Sequence, residues 1–298
     1  MAFINGKRIV FAPTINISGY RDGRVAELLS GDIVEIKASD FEGANVTKIR
    51  DYALNNETKL KSVYLPDGIT EIGNYAFNGC TDLATIRIPT SVRKIGNYAF
   101  SDTDISGFEG LDVLSLDSIG QYAFANCFQL KTLKLADIYS IPNNLFSNSG
   151  LSSITLPNTL TKINSSAFSQ CRGLERIVIP DSVTTIDSGA FQYCSALTDV
   201  TLSKSLTLIP NLLFASCTKL THVDIPASVT EIRLNAFSNC TALEYIDLTA
   251  YGTSGVFPAL SLFATDTCTF EIRVPKGRKA ELAGKVNWNN FADKIVEV

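Results

Sequence analysis

The chain has 298 residues, 45% of them hydrophobic and 19% charged, with a net charge of −4. That is ample for a folded core. The absence of any Lys/Arg run excludes the electrostatic footprint of a nucleic-acid binder. No apolar run approaches the roughly 18 residues that a membrane helix needs, which excludes membrane insertion by that route.

Residues 1–39 read as an N-terminal cap. Ile9-Val10-Phe11 and Ile33-Val34-Glu35-Ile36 look like short strands, and Gly19 to Gly23 looks like a turn. The opening MAFINGKRIVFAPTINI lacks the long apolar run and small-residue cleavage site of a signal peptide. Asp40-Phe41 and Val46 to Leu54 then begin, in degenerate form, a pattern that recurs through the rest of the chain.

The pattern is clearest at Ile72 to Cys80, IGNYAFNGC. It returns as IGNYAF at Ile95, IGQYAFANC at Ile119, INSSAFSQC at Ile163, IDSGAFQYC at Ile186, IPNLLFASC at Ile209 and IRLNAFSNC at Ile232. The marker phenylalanines Phe77, Phe100, Phe124, Phe146, Phe168, Phe191, Phe214 and Phe237 are 23, 24, 22, 22, 23, 23 and 23 residues apart. A fixed period in this range predicts a solenoid over 40–275, one coil per repeat. The irregular stretch Asp104 to Asp117 carries the 24-residue step and predicts a bulge.

Within a coil, Leu-x-x-Ile-x-Ile-Pro recurs at Leu83, Leu151, Leu174 and Leu220. Its apolar-x-apolar ending has the period of a strand with one face buried, and the proline stops that strand. The β-branched step Ser-Val-Thr-x-Ile then suits a second short strand or a bend. After it stands a turn or cap residue, such as Gly73, Gly96, Asn164 or Asp187. Marker Phe and Cys are three apart, which predicts a short helical turn with both on its inner face. The class is therefore an α/β repeat solenoid of short parallel strands and short helical turns, capped at both ends.

Residues 276–298 read as the C-terminal cap. A helical stretch from Arg278 to Lys285 leads to Trp288 and Phe291, which cover the last coil.

Six cysteines, Cys80, Cys127, Cys171, Cys194, Cys217 and Cys240, stand three residues after a marker Phe. One ligand per coil in a linear stack cannot wrap a tetrahedral ion. The cysteines therefore read as a column of small buried thiols. No metal site and no cofactor are expected, since nucleotide-binding, zinc and EF-hand motifs are all missing.

The unit Leu-x-x-Ile-x-Ile-Pro-x-Ser-Val-Thr-x-Ile-Gly-x-x-Ala-Phe-x-x-Cys resembles the leucine-rich repeat of the BspA-like, Treponema pallidum-type family, over about residues 40–275. The ending from Val274 to Asp293 is similar to the endings of that family. The resemblance implies a right-handed, curved solenoid, usually on secreted or surface proteins of bacteria, that binds host proteins, glycans or other cells. The opening residues also resemble the starts of some prophage-encoded structural proteins. That leaves a second reading, a component of a larger assembly attached through residues 1–35.

Stacking the coils in register fixes which outward side chains meet. Asp199, His222 and Tyr245 fall in one column, and Thr201, Asp224, Asp247 and Arg273 in the next, with Arg273 offsetting Asp247. Earlier coils present Tyr64, Arg87, Lys134 and Arg176, so this strand face is expected to run from basic to acidic. As the one histidine, His222 would have to serve any Ser-His or Cys-His mechanism. No nucleophile elbow accompanies it, so the face is expected to bind rather than catalyse.

Overall fold

The computed structural model describes residues 2–4, 7–9, 35–36, 47–109, 114–136, 138–253, 255–260, 270–283, 285, 287–288 and 291–298. These fall in two compact units, 1–138 with 145–151, and 139–144 with 152–298. Each is a solenoid of short parallel strands.

In the first unit the segments at Leu60 and Leu83 belong to one ladder, and the Leu130 segment pairs with Leu114–Ser115 in another. Glu35–Ile36, Ser62–Tyr64, Thr85–Arg87 and Phe108–Glu109 pair in parallel. The inward residues Val63 and Ile86 are 0% exposed, as the strand period requires. A further parallel ladder joins the x-Ile steps Lys48–Ile49, Glu71–Ile72, Lys94–Ile95 and Ser118–Ile119. An antiparallel hairpin, Ala2–Ile4 with Lys7–Ile9, stands at the N-terminus. The turn expected at Gly19 to Gly23 lies outside the described residues.

The second unit repeats the plan. Arg176–Val178 pairs with Asp199–Thr201. The strands His222–Asp224, Tyr245–Asp247, Glu271–Val274 and Ile295–Glu297 pair in parallel in that order. On the other side, Ser140–Ile141, Lys162–Ile163 and Thr185–Ile186 form one short ladder. Leu208–Ile209, Glu231–Ile232 and Ala259–Leu260 form another.

The core of each unit is a stack of marker phenylalanines. Phe77, Phe100, Phe124 and Phe146 follow at 5.3, 5.7 and 5.8 Å between ring centroids in the first unit. Phe168, Phe191, Phe214 and Phe237 follow at 5.1, 5.7 and 5.9 Å in the second. All eight rings are fully buried, and each contributes about 1.5–3 kcal/mol through the apolar area it hides. In the coil expected to bulge, Phe108 adds an edge-on ring between Phe100 and Phe124.

The helical turn expected at each marker is not there. Among the described residues the helices are one 3-10 turn, Thr249–Tyr251, and one short α-helix, Lys279–Ala283. Each Ala-Phe segment is instead a chain of turns with two left-handed residues four apart. Tyr75 and Gly79 have φ of 56° and 72°, and Asn235 and Asn239 both have 57°. A left-handed residue cannot continue a right-handed helix. It turns alternate N–H groups along the stack. Tyr75, Phe77 and Gly79 donate to the carbonyls of Asn97, Ala99 and Ser101 in the next coil.

At the C-terminal end Trp288 and Phe291 are buried, and Trp288 Nε1 donates to the Pro258 carbonyl at 2.9 Å. Arg278 is buried as well. Its guanidinium donates to the carbonyls of Gly252 and Gly255 at 2.6 Å each, donates to Glu281 at 2.8 Å, and lies 4.3 Å above the Phe257 ring.

Candidate functional site: the long-strand face and a tyrosine ladder

In the second unit the register runs from His222 onward in one column and from Asp224 onward in the next. His222 stands opposite Tyr245, and Tyr245 opposite Glu271; Asp224 stands opposite Asp247, and Asp247 opposite Arg273. The alternation of inward Val223, Ile246 and Ile272 with these outward residues follows from the strand period. His222 and Tyr245 stack at 5.4 Å with 28° between their planes. The His222 Nδ1 lies 3.1 Å from the Thr221 hydroxyl.

Arg273 does not offset Asp247 as the register alone suggested. Its guanidinium carbon lies 3.5 Å over the Tyr245 ring, and its Nε lies 3.5 Å from Glu271. A cation over an aromatic face gains about 0.5–1 kcal/mol even when exposed. Asp247 instead accepts from the Thr249 backbone N–H at 2.7 Å. Asp224 is exposed. Glu271, which ends the first column, completes the patch and was not singled out by residue type alone.

Arg176 and Asp199 are direct register partners and form an ion pair. No ladder pairing joins their two-stranded sheet to the His222 sheet among the described residues. In the next column Val178 is 55% exposed, an apolar side chain on an otherwise polar face.

In the first unit Tyr64 and Arg87 are register partners, both half-buried. Arg87 donates to the Leu65 carbonyl at 3.1 Å and pairs with Asp67 at 3.2 Å. Lys134 is exposed on Thr132–Ala136. The nine residues thus divide between the units: Tyr64, Arg87 and Lys134 in the first, and the other six in the second.

The buried thiols read as expected. Cys80, Cys127, Cys171, Cys194, Cys217 and Cys240 are free and buried; Cys268 lies outside the described residues. Among the described residues no cluster of three or more His, Cys, Asp or Glu side chains could hold a metal ion. No helix among them is long and apolar enough to cross a membrane.

One feature of the first unit was missed in the sequence. Tyr52, Tyr75, Tyr98 and Tyr122 stack on the turn edge with centroids 4.8, 4.7 and 4.5 Å apart and planes within 7°. Their shared offset from the marker phenylalanines was the available signal. Beside them runs a polar column. Asp51 Oδ1 accepts from Asn74 N, Asn74 Oδ1 from Asn97 N, and Asn97 Oδ1 from Gln121 N, each at 2.8 Å. The preceding position is Gly73, Gly96 and Gly120, where a Cβ would sit 2.3–2.5 Å from a backbone N of the neighbouring coil.

The family model for the BspA type leucine rich repeat region matches with six copies, over residues 47–172 and 117–244. Among solved structures, a leucine rich cell surface protein from Faecalibacterium prausnitzii is 26% identical, with a TM-score of 0.49, over 74% of this chain and 64% of its own. This chain therefore spans under two thirds of that protein's length. A leucine-rich repeat protein from Bacteroides ovatus is 25% identical, with a TM-score of 0.40, over 90% and 88%. The T. pallidum leucine rich repeat protein is 24% identical, with a TM-score of 0.37, over 77% and 88%. None of the curated proteins matches the chain. Leucine-rich repeat proteins are interaction modules, generally without catalytic activity. With its period, its paired strand ladders and a family match across well over half its length, the chain belongs to the BspA-type leucine-rich repeat family.

Proposed function

We propose that the chain is a non-catalytic protein-interaction module that works in bacterial surface adhesion or host-protein binding through its exposed long-strand face. The observation that carries this reading is the in-register patch of His222, Asp224, Tyr245, Asp247, Glu271 and Arg273. Regular strands hold these side chains outward at about 4.8 Å per coil. The stack of His222, Tyr245 and Arg273 fixes their rotamers before any partner arrives, which lowers the ordering cost of association. Aromatic and Arg anchors are the residue types that dominate interface energetics. Asp224 and Asp247, side by side, favour a partner that brings cationic side chains.

The test is binding of the purified full chain to arrayed cell-surface proteins, beside a variant carrying Asp224→Lys and Asp247→Lys. Binding by the parent that falls at least tenfold in the variant is the expected result. Equal binding by both would place the contact elsewhere, and no protein bound by the parent would sink the adhesion reading.

A further inference from the structure

We infer that the turn edge of the first unit is a second, separate binding surface, and that it takes a neutral oligosaccharide along the ladder Tyr52–Tyr75–Tyr98–Tyr122.

The backbone does not call for tyrosine there. All four residues sit in the left-handed region, with φ of 60°, 56°, 56° and 57°. The same position in the second unit is Asn144, Ser166, Gly189, Leu212 and Asn235, with φ between 55° and 65°. Small or polar residues such as Asn and Gly therefore do the same backbone job, and they suit that conformation better than an aromatic ring. Four consecutive tyrosines at a position that disfavours them point to a use for the side chain. That use faces solvent, since Tyr52 is 50% exposed and the other three are only half-buried.

The chemistry of the edge selects the ligand class. Parallel rings 4.5–4.8 Å apart line up their phenol hydroxyls in one row, and each hydroxyl can both donate and accept. The side-chain amides of Asn74, Asn97 and Gln121 run alongside. The coils 73–79, 96–102 and 120–126 carry one charged side chain, Asp102. Its carboxylate is taken up by Ser101 Oγ at 2.8 Å and Asn126 Nδ2 at 2.9 Å. The first coil, 50–56, adds Arg50 and Asp51, so the ladder has one cation at its Tyr52 end and none in the three coils of Tyr75, Tyr98 and Tyr122 to draw a phosphate, a sulfate or a uronate.

A polypeptide added as a further strand would need free backbone groups. The N–H groups of Tyr52, Tyr75 and Tyr98 already donate to the next coil, and those of Asn74, Asn97 and Gln121 to side-chain oxygens. What remains from Tyr75 to Tyr122 is a neutral row of hydroxyls and amides on an amphipathic aromatic rail. That matches a chain of hydroxyl groups on an uncharged ring backbone.

The test is a printed array of neutral oligosaccharides: β-1,4-glucose, α-1,4-glucose, β-1,4-galactose and β-1,4-N-acetylglucosamine series of two to six units, with sialylated and sulfated glycans as controls. It is read with the labelled full chain and three variants. Tyr75→Asn with Tyr98→Asn removes two rings but supplies the residue found at the same φ in the second unit. Tyr75→Phe with Tyr98→Phe keeps the stack and removes two hydroxyls. Asp224→Lys with Asp247→Lys alters the long-strand face alone. The expected result is parent binding to at least one neutral series, rising with chain length. Binding should fall at least tenfold in both tyrosine variants and stay unchanged in the aspartate variant. No neutral glycan bound, binding confined to the charged controls, or binding kept by either tyrosine variant would overturn the inference.

Discussion

The thiol of Cys194 donates to the carbonyl oxygen of Phe168, 3.1 Å away in the preceding coil. Cys217 does the same to Phe191 at 3.2 Å, and Cys240 to Phe214 at 3.0 Å. The cysteine column therefore does more than fill space. Each of these thiols ties its coil to the carbonyl of the marker ring before it, as Cys127 does to Phe100. Replacing Cys217 by Ala removes a buried sulfur and one such bond, at an expected cost of about 1–2 kcal/mol. Urea denaturation of the Cys217→Ala variant, at constant slope, measures it.

The same burial sets a dependence on pH. Loss of water around the sulfur pushes the Cys80 and Cys127 thiols from 9.0 up to about 12. A group whose pKa is raised by folding stabilises the fold fully below its unfolded value and loses that contribution as pH rises through the gap. Stability is thus expected to hold up to about pH 9 and to fall between 9 and 12. The fall in urea midpoint from pH 7.5 to pH 10.5 should be smaller in a variant carrying Cys80→Ala and Cys127→Ala.

Gly96 allows the close approach of two coils. A Cβ there would stand 2.5 Å from Asn74 N and 2.6 Å from the Gly73 carbonyl carbon, both backbone atoms that cannot move aside cheaply. Gly96→Ala is expected to cost about 3 kcal/mol by overpacking, read as a lowered denaturation midpoint.

Arg278 holds the loop that follows the Tyr245–Asp247 strand. Arg278→Ala leaves the Gly252 and Gly255 carbonyls without their donor, at an expected cost of about 2–3 kcal/mol. Arg278→Lys should recover less than half of this, because an ammonium cannot present the guanidinium fork. Limited proteolysis should then cut in 249–258 faster in both variants.

The inward residues were legible because burial imposes a period. Leu83, Ile86 and Ile88 repeat the spacing of Leu174, Ile177 and Ile179, and all six are buried. The pairing of His222 with Tyr245 and of Asp224 with Asp247 followed from that register. The direction taken by a long side chain did not. Arg273 stands beside Asp247, yet turns to Tyr245 and Glu271, a choice among nearby partners that spacing cannot make. The helical turn was misread because a three-residue separation of Phe and Cys also fits a chain of turns. The contrary signal was Gly79, Asp102, Asn126, Asn148 and Asn239, all left-handed formers at one offset.

The polar column beside the tyrosines has a consequence for how such a chain can change length. Asn74 closes a backbone N–H of the coil after it, while its own N–H is closed by Asp51 of the coil before. No coil in this stretch is self-sufficient, but each offers its successor what it takes from its predecessor. A whole repeat could be copied or excised here with every donor still finding an acceptor. An insertion of any other length would strand an N–H at the splice. The unit of inheritance in this region is therefore the full coil, and gene rearrangements that respect it are the ones the fold can tolerate.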